Sequence, residues 1–272
     1  LPLLLPDLIL DEIAIDAGLL PLDQEPIPAA AEQAADVAGS YLTNRRPFFG
    51  RAQIFGALSP LVVTALPDGA LLIPTNKIPA PSRFERIGPD LWQNALGDRV
   101  AFVRDTEGRV FRMADGTGAQ THDRATGLSN PIWLYAAFGS AGLFSLTTLM
   151  GFIWRRGLKG GSRLGTAASV VALGAAVGFW AFVASGVSAV LAAIRLGSEF
   201  IFDQPQATLE TFFVFADGML VAAAILGLSS VLAWRAEHWG LFRRLHHSAL
   251  AIAFVVFGGL LLFWGLAFGG PI

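Results

Sequence analysis

The sequence predicts an α+β membrane protein in two parts: a small antiparallel β meander or half-barrel, then a four-helix transmembrane bundle. Three observations predict it. Four long apolar stretches follow Asn130, and a helix needs about 20 apolar residues to cross ~30 Å of hydrocarbon. Between Tyr41 and Asp115, short β-branched and aromatic runs are separated by Gly, Pro and Asp turns, the pattern of a meander. The charges divide as well. Residues 1–130 hold 16 of the 21 acids and 11 of the 19 bases, a net of −5; residues 131–272 hold 5 acids and 8 bases, a net of +3.

The opening "LPLLLPDLIL" lacks a basic start and is interrupted by Pro6 and Asp7, so it does not read as a signal peptide. The chain begins at Leu1 and reads as processed or as a piece of something longer. Residues 7–17, "DLILDEIAIDA", place Leu8, Leu10, Ile13 and Ile15 mostly to one side, which predicts a short amphipathic helix within residues 1–20. Residues 21–38 are rich in Pro and Ala, a linker by composition, with room for a helical turn or two before Gly39.

The β domain is expected over residues 39–116, with six or so strands. In "RVAFVRD", Val100, Phe102 and Arg104 alternate with Ala101, Val103 and Asp105. In "RVFRM", Arg109, Phe111 and Met113 alternate with Val110 and Arg112. Such alternation gives one wet and one buried face. Residues 117–130 are polar and Gly-rich, a second linker ending at a helix-starting Pro131.

The predicted spans are 131–154, 164–194, 211–234 and 248–268. The first connection holds Arg155, Arg156, Lys159 and Arg163, and the third holds Arg235, Arg243 and Arg244. The second holds one base and three acids, Glu199, Asp203 and Glu210. Lys and Arg stay on the cytoplasmic side. That sets the first and third connections inside, and residues 1–130 and the C-terminus outside, in the periplasm of a Gram-negative cell. Trp133, Tyr135, Trp154, Trp234 and Trp264 fall near the predicted ends, as an aromatic belt requires. Gly174 and Gly178 form a GxxxG, and Gly258 and Gly259 lie inside the fourth span; small faces let helix backbones approach.

Asp217 is the acid well inside a span, and such a residue is a functional candidate because charge in lipid is costly. The alternative is an Asp facing the bundle and bonded to a neighbour such as Arg195. His238, His246 and His247 fall in or beside the third connection, where they read as interfacial groups near anionic headgroups rather than haem or metal ligands.

Catalytic motifs are sparse. There is no cysteine, which removes thiolate chemistry and disulfides. The two lysines, Lys77 and Lys159, have Pro74 and Arg156 three residues before them, so no Ser-x-x-Lys exists. Ser140 lacks the glycine two residues before it that a nucleophile elbow needs. There is no phosphate loop and no HExxH. Glu85 and Asp90 read as surface turn residues. His122 and Asp123 beside a serine are no more than any chain offers. "NRRPFFGR" (Asn44 to Arg51) is basic and aromatic but too short for a nucleic-acid surface. The residues assign no cofactor and no metal; the partner they indicate is the lipid bilayer.

The order "LILDEI", a Pro/Ala linker, "AADVAGSYLTNRR", "LPDGALLI", "FERIGPDLWQNALGDRVAFVRDTEGRVFRM" and four spans resembles the C-terminal region of membrane-anchored serine hydrolases of the class C β-lactamase and penicillin-binding-protein-like group. The resemblance implies that residues 1–20 close an absent upstream catalytic domain, that the β domain is lipocalin-like, and that the spans anchor the enzyme in a bacterial inner membrane. The family's Ser-x-x-Lys and Tyr-x-Asn elements are missing here, so no catalytic residue is carried over. The expected function is the non-catalytic anchoring and β-domain portion of a serine hydrolase-like protein. The alternative is a structural or accessory subunit of a multi-protein membrane complex.

Overall fold

The computed structural model describes residues 31–75, 78–116, 120–154, 162–196 and 207–269. The amphipathic segment of residues 1–20, the first part of the 21–38 linker, and Arg155, Arg156 and Lys159 lie outside the described residues. The chain forms two units. One holds residues 31–46 and 59–129, the other residues 47–58 and 130–269, among the described residues.

The first unit is a closed up-and-down barrel of eight antiparallel strands. A short helix α1 (Ala31–Val37) precedes β1 (Gly39–Thr43), β2 (Leu61–Ala65), β3 (Leu71–Thr75), β4 (Ile78–Gly88), β5 (Leu91–Asn94), β6 (Arg99–Arg104), β7 (Val110–Asp115) and β8 (Thr121–Arg124). Each strand pairs with the next, and β8 returns to β1 with Tyr41 opposite Arg124 and Thr43 opposite His122. The half-barrel expected from the sequence is therefore complete. The correction comes from β8, which occupies part of the stretch read as a linker. "THDR" has no apolar alternation to announce it. Its backbone groups close the ladder between β7 and β1, which would otherwise be two open edges.

The strands form because their apolar residues recur at period two, and the turns form because the chain supplies the required φ. Gly97 and Gly108 sit at φ +86° and +79° in the β5–β6 and β6–β7 turns. At the second turn the Asp105 carboxylate accepts the N–H groups of Glu107 and Arg109. The barrel interior is filled by side chains, among them Tyr41, Leu71, Phe84, Trp92, Phe102 and Met113, and α1 adds Ala34 and Val37 to the same core. Eight strands enclose a space that side chains can fill. In β7 the buried residues are Val110 and Met113, while Phe111 is exposed. Simple alternation had grouped Phe111 with Met113. A register shift between Val103 and Arg104 breaks the period and turns Val110 inward.

The second unit contains a 3-10 turn (Arg51–Gln53), a short helix α2 (Ile54–Leu58) and four long helices: α3 (Ile132–Trp154), α4 (Arg163–Leu196), α5 (Ala207–Arg235) and α6 (Leu241–Phe263). All four are long and apolar enough to cross a membrane. At 1.5 Å per residue even the 23-residue helices reach about 35 Å. Their faces are arranged as lipid demands. Small residues such as Ala141, Ala168, Ala176 and Ala216 are fully buried, while Leu143, Ile153, Val190, Leu228 and Ile252 point outward. Without a hydrophobic drive between helices, small inward residues allow close packing. Phe179, Phe254 and Phe257 add a buried aromatic core, and the exposed Phe138 packs against its edge, with contacting ring centroids 5.4–6.0 Å apart.

The glycines divide. A Cβ on Gly258 would lie 3.2 Å from Ala223 and from Leu220, so this glycine does serve the α5–α6 approach. Gly178 meets only the tip of Met219, at 3.4 Å. Gly174 and Gly259 face no neighbouring atom within 4 Å, so the GxxxG of α4 is not a backbone crossing point. Gly186, beneath Phe212 at 3.1 Å, is a tighter contact. A GxxxG pattern reports only spacing on one helix; which face meets a neighbour is set by the other helices.

Helix α6 begins at Leu241, directly after Gly240 in an extended conformation, and not at Ser248. Arg243, Arg244, His246 and His247, expected in a connecting loop, are thus its first turns. The charged residues ended the apolar window, but Arg and Leu are good helix formers. Trp133, Trp154 and Trp234 are exposed as a belt requires, whereas Trp264 is buried at 2% and belongs to the core.

Candidate functional site

The polar groups of the helical unit gather in two places. The first is built around Asp217, in the third turn of α5. The Arg51 guanidinium forks onto its carboxylate, with Nη1 donating to Oδ1 at 3.1 Å and Nη2 to Oδ2 at 2.9 Å. The same Nη1 donates to the Leu266 carbonyl at 2.8 Å, and the cation lies 4.9 Å from the centroid of the Phe213 ring. Phe268 N–H donates to Asp217 Oδ1 at 2.7 Å. The chain reaches this geometry through two tight bends. Gly265 sits at φ +68°, and a Cβ there would lie 2.5 Å from the Gly50 carbonyl oxygen. Asp217 is therefore bonded to a neighbour, but the neighbour is Arg51 and not Arg195, which ends α4 exposed. The sequence placed Arg51 within the β domain because β1 and β2 flank it. The structure gives residues 47–58 to the helical unit.

The second place lies among α3, α4 and α6, around a cavity of about 260 Å³ lined in part by Thr147, Thr148, Ser169, Trp239, Arg243 and His246. Three hydroxyls share one role here. Ser169 donates to the Gly165 carbonyl, Ser229 to Leu226, and Thr147 to Leu143 or Phe144. With its proton on its own helix, Ser169 presents a lone pair outward. Arg243 Nη2 donates to Ser169 Oγ at 2.7 Å. His247 Nε2 lies 3.0 Å from Ser229 Oγ, and His246 Nε2 lies 2.9 Å from Thr147 Oγ1. In both contacts the imidazole tautomer sets which partner donates. The Arg243 guanidinium also stacks 4.1 Å from the Trp239 ring centroid.

His247 is 3% exposed, so the interfacial reading fails for it; its ring forms a structural hydrogen bond between α5 and α6. Arg244 donates to the Ala236 carbonyl, while Arg163 and Arg235 are exposed at the helix ends. Ser169, Ser229 and Trp239 were missed from sequence. Single serines in apolar helices carry no local signal of a partner on another helix.

A third feature is a groove of about 530 Å³ bounded by α2 and the long helices, with an almost wholly apolar lining that includes Ile54, Leu134, Phe182, Gly186 and Phe212. In the barrel unit, Arg104 forks onto Asp90 at 2.9 and 2.7 Å and reaches Asp36 at 2.6 Å. Hydrogen bonds donated to the Asp90 and Asp36 carboxylates hold the Arg104 pKa above its ordinary range. Asp90 is thus a turn residue tied to Arg104, and Glu85 pairs with Arg83. His122 lies on β8 opposite Met113, and burial lowers its pKa. The Asp115 and Asp123 carboxylates nearby oppose that effect of burial. Among the described residues no three His, Asp or Glu side chains converge as metal ligands would.

Compared with family models, curated proteins and solved structures, the chain matches none.

Proposed function

We propose that this chain is the membrane-anchoring and β-barrel portion of a serine hydrolase-like protein, seated in a bacterial inner membrane with the barrel on the periplasmic side. The nucleophile of the parent lies upstream, outside residues 1–272, and acts by acyl-serine chemistry. One observation supports the anchor part of the reading: Asp217, Arg243, His246 and His247 are each engaged by a group from another segment of the helical unit. The fork between Arg51 and Asp217 and the hydroxyl contacts of Arg243, His246 and His247 tie helices together. That suits an anchor better than an ion path, which needs polar groups that change partners. The filled barrel interior likewise supports a docking module over a ligand carrier.

The orientation follows from the bases of the first and third connections. A cysteine at Ser162 should resist an impermeant thiol reagent in intact cells, and one at Thr106, exposed in the β6–β7 turn, should react; the reverse pattern sinks the topology. The purified chain should not be labelled by a fluorescent penicillin or a fluorophosphonate. Stoichiometric labelling of any serine would make this chain itself the enzyme. The second reading, an accessory subunit of a membrane complex, is favoured by the adjacent exposed side chains Val103 and Phe111 on the outside of the barrel. Retention of a larger assembly in mild detergent would select it.

A further inference from the structure

We propose that the cavity among α3, α4 and α6 binds the anionic phosphate headgroup of a membrane lipid. The inference rests on the reading of the long helices as membrane spans. The cavity has two kinds of wall. Arg243, Thr147, Thr148, Ser169 and His246 form a polar side, and Phe152, Leu173 and Phe242 form an apolar one. A lipid presents the same division, a charged phosphate joined to hydrocarbon. A free anion has no use for the apolar wall.

Charge points the same way. Around this end of the unit stand Arg163, Arg235, Arg243 and Arg244, against Glu237 as the acid among residues 235–247. Basic clusters between helices at the membrane surface attract anionic headgroups. Arg243 is held in place before any ligand arrives, by the Ser169 hydroxyl on one edge and the Trp239 face beneath. A pre-set guanidinium recognises phosphate oxygens with its planar fork and loses little side-chain freedom on binding. Phe242 lines the cavity yet is 83% exposed, and Leu241 and Leu245 beside it are also exposed. These apolar side chains at the mouth mark where a lipid's glycerol and first methylenes would lie.

The test uses the full chain in detergent micelles, read by native mass spectrometry. Phosphatidylglycerol, phosphatidylcholine and diacylglycerol are titrated separately, and inorganic phosphate is added as a competitor. One phosphatidylglycerol per chain should be retained at least tenfold more strongly than either other lipid. Arg243→Gln should lose about tenfold. Arg243→Lys, which keeps the charge without the fork, should lose about threefold, and this milder variant decides the matter if the first does not fold. Arg195→Gln, exposed in the last turn of α4 at the end away from the cavity, should bind as the unaltered chain does. Equal retention by the unaltered chain and both Arg243 variants overturns the proposal. So does displacement of the lipid by millimolar phosphate, which reassigns the cavity to a free anion. A chain that stays dispersed without detergent and retains no lipid of any kind instead overturns the membrane reading.

Discussion

Removing the Asp217 carboxylate while leaving Arg51 in place isolates what holds residues 47–58 to the long helices. The carboxylate accepts three bonds, two from Arg51 at 3.1 and 2.9 Å and one from Phe268 N–H at 2.7 Å. The two side chains are 17% and 24% exposed, so solvent screens the pair only in part. A net value of roughly 1 kcal/mol per bond puts Asp217→Ala at about 3 kcal/mol. Arg51→Met loses the fork and the Leu266 contact, again about 3 kcal/mol. The two costs overlap, because each single variant strands the other's charge. The double variant should therefore cost about 4 kcal/mol, a coupling of about 2 kcal/mol and near the upper end for interhelical hydrogen bonds in membranes. Denaturant unfolding of the full chain in mild detergent measures all four corners of the cycle. Additivity within about 0.5 kcal/mol would refute the reasoning, since Arg51 and Asp217 would then not be acting on each other. Abolition of a measured proton or ion flux by Asp217→Asn would refute the anchor reading more broadly.

Two further outcomes follow from the barrel. A fragment of residues 31–129, with Pro47–Leu58 replaced by a Gly/Ser linker, should be soluble and unfold in one cooperative transition by circular dichroism; ending it at residue 118 removes β8, leaves β1 and β7 as open edges, and should give aggregation. Tyr41 is fully buried, its hydroxyl donates to the Val37 carbonyl at 2.6 Å, and burial raises its pKa to about 12. The unfolded chain would ionise this phenol near pH 10, so stability should be whole below pH 10 and fall by about 2–3 kcal/mol as pH rises through 12; Tyr41→Phe should flatten that fall in alkaline melts, and an unchanged pH profile would assign the loss elsewhere.

What the sequence determined was whatever is written in a local period. Runs of apolar residues longer than a bilayer is thick specify spanning helices wherever they pack, and α3 and α5 lie close to the stretches predicted for them. Alternation in "RVAFVRD" put Val100 and Phe102 on one face because a strand has a period of two whatever it pairs with. The tertiary structure decided everything that depends on a partner distant in the chain. Strand β8 exists because β1 and β7 offer it unpaired backbone, not because "THDR" favours a strand. Arg51 belongs to the helical unit because Asp217, 166 residues away, needs a counter-charge where water is scarce. His247 is a buried hydrogen-bonding group and not an interfacial base because Gly240 lets α6 start early and Ser229 of α5 stands within hydrogen-bond reach of it. Periodicity is a property of one segment, whereas closure, charge pairing and burial belong to two segments at once, and only the folded chain brings the two together.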